Sequence, residues 1–492
     1  MSEQNHHQFE RILGTKEVFA LAFGAMIGWG WIVLTGTWVQ TAGSIGAILS
    51  LAIGAVIIMF IGLAYAELCA AMPHEGGEHI FSYRALGHSA SFLCTWAIIL
   101  GYVSVVAFEA VALPTVVDHV VPNYQKILLW NVAGWDVYLT WALVGMVGTV
   151  AVTWINLVGV QTASKVQTVV TALIVLVGVA FVLAAPFGGS FANLSPMFNE
   201  TPVEGSPFPA LIAGMLPVLM MVPFMFVGFD VIPQAASEIN MPAKSIGKML
   251  LISVFAATVF YCAIVLGVGL ALDESQMSPD VLSTPQAMQI VYNSPLAAKI
   301  MVLAGLAGII TSWNAFFIGG SRAIYAMAHA KMLPAFLAKL HPKYKTPTNA
   351  ILLIAIPTFF APLLGRKALL WFVNAGSLAI VIAYFMVCIS FLVLRRREPN
   401  MPLPFRVKNG TLVGFIACLL SLGLIYMYLP FSPSALSVEE WVIFWAWMLL
   451  GLVMYLVARK QFGLKESDRI MRAQWEEDEA KNRDYVRTHP NE

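Results

Sequence analysis

Twelve long apolar stretches, separated by short polar segments, constrain this chain more than any other feature. They run over about 17–40, 45–71, 91–116, 137–157, 164–186, 209–235, 248–272, 297–326, 349–365, 368–394, 411–430 and 440–458. About 20 apolar residues let a helix cross the hydrocarbon of a bilayer, so the pattern predicts an all-α polytopic membrane protein with twelve transmembrane helices, the ninth being the shortest. Composition agrees: of 492 residues 59% are hydrophobic and only 11% charged. A soluble globule, a disordered chain and a nucleic-acid binder are excluded on that ground. The formal net charge of +1 gives no sign of a polyanionic partner.

The basic residues orient the helices. With the N-terminus inside, alternate loops hold 23 Lys and Arg on the inner side and only Lys126, Lys299, Arg366 and Lys367 on the outer, with Arg322 inside the eighth span. Basic residues are retained on the cytoplasmic side of short loops, so both termini are expected in the cytoplasm of a multi-pass protein of the inner or plasma membrane. The N-terminal segment, with His6, His7, Glu10 and Arg11, lacks the short apolar core and cleavage site of a signal peptide. The C-terminal tail, 459–492, mixes charges without apolar periodicity and reads as a solvated helix or a disordered end. Cys69, Cys94, Cys262, Cys388 and Cys418 all fall in apolar runs without metal-ligand or redox spacing. No metal site and no cofactor are expected.

Two spans carry helix-breaking residues. The first holds Gly24, Gly28, Gly30 and Gly36, with Ile27 before the break and Trp29 and Trp31 alternating with glycine. The sixth holds Pro217, Pro223, Gly228 and Pro233, with Phe226, Phe229 and the acidic Asp230 around the glycine. Glycine and proline make continuous helix costly there. Paired interruptions in corresponding places of two halves point to an inverted-repeat transporter with its site at the bilayer midplane. The alternative use of such residues is close helix packing, for which Gly24 and Gly28 have the spacing.

The residues carrying these features resemble the amino acid–polyamine–organocation transporters. The similar motifs are Gly28-Trp29-Gly30 in the first span, Tyr65-Ala66-Glu67-Leu68 leading to Pro73-His74-Glu75-Gly76-Gly77-Glu78, and Phe226-Val227-Gly228-Phe229-Asp230 followed by Glu238 and Met241-Pro242. Asn314, Arg322, Met327-Ala328 and Leu333-Pro334 follow in the eighth span, then Thr346-Pro347 and Arg395-Arg396-Arg397-Glu398-Pro399. The resemblance implies a tail (1–16), two inverted five-helix repeats (17–186 and 209–394) joined by an outer loop (187–208), two further helices (395–458) and a cytoplasmic tail (459–492). It also implies alternating access and a small amino acid or amine as substrate, held at Ile27, Gly28, Trp29, Gly30 and Trp31 of the first span and Phe226, Gly228, Phe229 and Asp230 of the sixth. In similar proteins the amides of helix one take a substrate carboxylate. Here the residue between the glycines is Trp29 rather than a small one, so its ring either enters the site or packs on a neighbouring helix. Proton-coupled relatives carry a lysine in the fifth helix where this chain has Ile174.

Four ionisable residues stand inside the spans, each costing about 3 kcal/mol unless partnered or used. Glu67 and Arg322, with Glu238 at the inner end of the sixth span, read as an inner gate or structural network. Asp230 reads as a brace for the unwound backbone. Glu109, in the outer half of the third span, reads either as a selector of cationic amines, as a proton carrier, or as a group bonded to a neighbouring helix. Resemblance to sodium-coupled members implies a cation site from the carbonyls of Gly24, Ile27 and Gly308 with the hydroxyls of Thr311 and Ser312, oxygen-only ligation that suits a hard cation. Na+ coupling, H+ coupling and ion-free exchange all stay open. No catalytic residues are expected: paired acids, metal motifs and nucleophile signatures do not occur in the spans. A channel lacks its rings of charge, whereas a non-transporting solute sensor on the same fold stays open. Nothing in the sequence indicates a partner subunit.

Overall fold

The structure is a computed structural model that describes residues 13–74, 76–121, 123–199, 209–277, 282–432 and 434–488. His6, His7, Glu10 and Arg11 of the tail, Glu75 of the glycine motif and the end of the 187–208 loop lie outside the described residues.

The first span is three pieces, α1 (Thr15–Met26), α2 (Gly30–Val33) and α3 (Thr35–Ala42). The second is α4 (Ser44–Ala71), followed by a short connecting helix, α5 (Glu78–Leu86), and the third span, α6 (His88–Val120). A hairpin of β1 (Leu128–Val132) and β2 (Trp135–Tyr138) leads into α7 (Leu139–Val158) and α8 (Val160–Gly188). The sixth span is split into α9 (Ala210–Phe226) and α10 (Val231–Gln234); α11 (Ala243–Ala271), a peripheral α12 (Ser283–Tyr292) and α13 (Pro295–His329) follow. The remaining helices are α14 (Thr348–Phe360), α15 (Ala368–Arg397), α16 (Gly410–Tyr428), α17 (Val438–Phe462) and α18 (Leu464–Thr488).

Among the described residues eleven helices are long and apolar enough to cross a bilayer. The twelfth expected span, 349–365, is the shorter α14 plus a 3-10 turn, Ala361–Leu364, because Pro357 and Pro362 interrupt the backbone donors and Gly365, at φ 71°, turns the chain away. Outward-facing residues are themselves apolar, as Leu143, Val147, Val150 and Trp154 on α7 and Leu412, Phe415, Leu419 and Leu422 on α16 show. A continuous apolar exterior of this kind suits lipid rather than water.

The split first span lies in the centre, with α8, α11 and α13 around α1, while α4 packs on α11 and α6 on both α13 and α15. One face of the molecule gathers Leu13 with Ile239, α5 and the end of α13; the other gathers Gln40 with Asn199 and Met277.

Of the two forms expected for the tail, the described residues take the helix, α18, but one face of it is docked and not solvated, with a stripe at four-residue spacing: Ser467 and Met471 are buried, and Trp475 stands over Tyr83. Ser467 Oγ donates to Ala330 O at 2.6 Å, Tyr83 Oη donates to Asp468 Oδ1 at 2.6 Å, and Arg84 pairs with Glu479 at 2.5 Å. The density of charge hides this stripe from a hydropathy reading, because only one helical face needs to be apolar.

Candidate solute and ion site

α1 stops at Met26. Ile27 still donates its N–H to Phe23 O, but its backbone turns to ψ 69°, and helix resumes at Gly30. Such an interruption frees amides and carbonyls in a region without water, and each needs a partner. Glu109 supplies one: its Oε1 accepts the N–H of Trp29 at 3.3 Å. The carboxylate lies so close over Gly28 that a Cβ there would stand 2.2 Å from Oε1 and 2.9 Å from Ser312 Oγ. Gly28 is therefore required by the close approach of an acid and not by its own backbone angles.

In the sixth span α9 ends at Phe226, and Gly228 takes φ 133°, a conformation that disfavours any side chain. Asp230 Oδ1 accepts the freed N–H of Gly228 at 2.7 Å, and its Oδ2 accepts the hydroxyl of Tyr102 at 2.8 Å. A Cβ on Gly228 would meet Ala25 Cβ at 2.8 Å and Met26 N at 2.9 Å, so the two breaks touch. Tyr261 bridges them, its hydroxyl donating to Met26 O at 2.5 Å and reaching Met225 O at 3.3 Å. Gly30 adjoins the Met225 thioether, Phe226 lies on Tyr261, and Phe229 is held between Tyr65 and Tyr384.

The two tryptophans point elsewhere. The Trp29 ring lies on Gly305 of α13, where a Cβ would be 2.3 Å from it, and Trp31 meets Phe260 of α11 edge-on at 5.2 Å. Both rings fill space between helices.

Gly24, Gly308 and Thr311 come together where α1 crosses α13. A Cβ on Gly308 would stand 2.6 Å from Gly28 O and 2.9 Å from Ile27 O, and Thr311 Oγ1 donates to Gly308 O at 3.0 Å. Two residues of α8 that the sequence reading missed fill the neighbouring space. Gln167 Nε2 donates to Thr311 O at 3.1 Å and reaches Ala20 O at 3.4 Å, and Thr171 Oγ1 reaches Ala20 O at 3.4 Å. Their spacing of four, which puts both on one helix face, was the available signal.

The amino acid permease family matches residues 13–454, almost the whole chain. The chain belongs to this family. The permease is 27% identical to the branched-chain amino acid permease of Bacillus subtilis (strain 168), over 93% of its own length and 95% of that protein's. It is 26% identical to the methylthioribose transporter of the same organism, over 92% and 94%, and 26% identical to the cationic amino acid transporter 4 of Homo sapiens, over 80% and 61%. The protein is a multi-pass membrane transporter and not an enzyme.

Glu67, Glu238 and Arg322, the other ionisable residues that the sequence singles out in and beside the spans, enter two ion pairs on the face that carries α5. Arg322 Nε contacts Glu238 Oε1 at 2.8 Å and its Nη1 reaches Ser321 Oγ at 3.1 Å. Glu67 is engaged with Arg395 of α15, at 2.9 Å through Nε, and accepts the N–H of Val407 at 2.6 Å. Glu67 therefore ties the second span to the tenth, whereas Glu238 and Arg322 tie the sixth to the eighth.

Proposed function

We propose that this permease carries a small amino acid or related amine across the inner or plasma membrane by alternating access, as a proton-coupled importer with both termini cytoplasmic. The observation that carries the reading is the meeting of two helix breaks at Gly228 and Met26, with Glu109 over one and Asp230 bracing the other. A five-plus-five inverted repeat is supported by the packing of α4 on α11 and of α6 on α13, since the second and third spans are the counterparts of the seventh and eighth. The substrate site is Ile27, Gly28, Gly30, Phe226, Gly228 and Phe229 together with Glu109. Trp29 and Trp31 act behind it as packing. An amine suits a buried acid whose hydrogen-bonding neighbours are the Trp29 amide and Ser312 and which faces no basic side chain among the described residues.

A proton is favoured over Na+ by the crossing of α1 and α13. Of the carbonyls in the cation set, Gly308 O already accepts the Thr311 hydroxyl, and the side chains of Gln167 and Thr171 fill the space beside Gly24. In this reading Gly24, Ile27, Gly308, Thr311 and Ser312 hold the crossing together, and Glu67, Glu238, Arg322 and Arg395 close the cytoplasmic side.

The test is uptake into proteoliposomes with a panel of labelled amino acids and amines, imposing Na+ and pH gradients separately. Uptake driven by an inward proton gradient in the absence of Na+ is expected. Uptake that needs Na+ and disappears in Thr311→Ala/Ser312→Ala would move coupling to sodium. Exchange under no gradient alone would make the protein an uncoupled exchanger, and binding without flux would make it a sensor.

A further inference from the structure

One buried acid serves neither the solute site nor the two ion pairs. Glu78 opens α5 and is fully buried beneath α10. Its Oε2 accepts the side-chain amide of Gln234, while its Oε1 has no hydrogen-bond partner among the described residues. Gln234 Nε2 also lies 3.4 Å from the hydroxyl of Tyr102, which donates to Asp230 at 2.8 Å. A run of polar contacts thus leads from the break at Gly228 through Asp230, Tyr102 and Gln234 to Glu78.

The titratable groups facing Glu78 are Asp230 from the broken span, Tyr65 and Cys69 from α4, Cys94 and Tyr102 from α6, and Tyr384 from α15. None is a cation. Its neighbour His79 is held neutral by burial, its imidazole pushed down to about 3. Arg84 on the same helix is committed to Glu398 and Glu479. Burial, with the Asp230 carboxyl behind it, holds the Glu78 carboxyl well above the usual carboxylate range. An uncompensated charge at this depth is strongly disfavoured, so the group is neutral when enclosed.

The enclosure is tight and two-sided. Gly76, at φ 94°, leaves no room for a Cβ, which would lie 2.5 Å from Ala326 of α13; a Cβ on Gly77, at φ 35°, would lie 2.9 Å from Pro233 of α10. Any movement of α10 away from α5 therefore lets water reach Glu78 on the face where α18 docks.

We propose that Glu78 is the proton-binding site of the transport cycle on the cytoplasmic side. It carries a proton while α5 is sealed on α10 and α13, and loses it to water when that seal parts, leaving the carboxylate until the next cycle. This rests on the transporter reading above.

The experiment uses full-length protein in proteoliposomes that contain a trapped pH-sensitive dye. Wild type is expected to acidify the lumen when substrate is added, and to accumulate substrate under an inward proton gradient. Glu78→Gln preserves an acceptor for Gln234, so substrate exchange is expected within about 2-fold of wild type while gradient-driven accumulation and the dye response are lost. Gln234→Leu removes a donor that favours the charged form of Glu78, so the pH midpoint of uptake is expected to move up. Accumulation that persists in Glu78→Gln, or an unmoved midpoint in Gln234→Leu, overturns the proposal. Wild-type transport without a dye response overturns it alone, even if Glu78→Gln does not fold; wild type that exchanges no substrate overturns the transporter reading with it.

Discussion

The contact between Gly28 and Glu109 can be tested by Gly28→Ala. The added Cβ would stand 2.2 Å from Glu109 Oε1, against an ordinary contact of 3.4 Å or more, so the carboxylate must retreat by about 1.2 Å. It can do so cheaply in steric respects, because Oε1 is the far end of a flexible side chain. What it loses is the hydrogen bond from Trp29 N, already 3.3 Å long, and the buried amide is then left unsatisfied. Leaving a buried polar group unpaired costs about 1–3 kcal/mol. The expected result in a thermal-unfolding assay in detergent is a destabilisation of that size, with substrate exchange lowered at least 10-fold. In a Glu109→Ala background there is no carboxylate to displace and only Ser312, 2.9 Å away through Oγ, has to shift, so Gly28→Ala should cost at least about 0.5 kcal/mol less than in wild type, a coupling within the range of residues in contact. Equal costs in both backgrounds would refute the claim that the glycine exists to admit the acid.

Three further outcomes are expected. Glu67→Ala removes the carboxylate from Arg395 and the acceptor from Val407 N, and should destabilise by about 3 kcal/mol, the low end for a broken buried pair because Arg395 keeps some solvent access; thermal unfolding checks it. Gly305→Ala places a methyl 2.3 Å from the Trp29 ring and should cost about 1–3 kcal/mol by overpacking. If the ring is packing and not recognition, the pattern of substrates competing for uptake should stay as in wild type. Tyr261→Phe strips a donor from Met26 O and Met225 O at the two breaks and should lower stability by about 1–3 kcal/mol and slow exchange, whereas unchanged exchange rates would remove Tyr261 from the bridge.

Both interruptions were legible in the sequence, since Gly28, Gly30 and Gly228 remove side chains and Pro223 and Pro233 disturb the helical backbone around the second break. The brace role of Asp230 was legible through the family resemblance, and the structure adds that the acid reaches the amide of the glycine two residues before it. The partners of Glu67 were not legible. Arg395 is 328 residues away, and which arginine faces which acid depends on how the second and tenth spans cross. The stripe on α18 was visible in principle at Ser467, Met471 and Trp475, but a count of charge obscured a periodicity that only one face shows.

Hydropathy by itself determined that the chain lies in a membrane as helices, because apolar length is a local property that the bilayer reads segment by segment. Only the tertiary structure decided where side chains point: that Trp29 leaves the site for Gly305, that Gln167 and Thr171 occupy the crossing of α1 and α13, and that Glu78 lies under Gln234. Those contacts join residues on separate helices, and helix rotation and crossing are set by where small residues let two backbones approach, which no single span encodes.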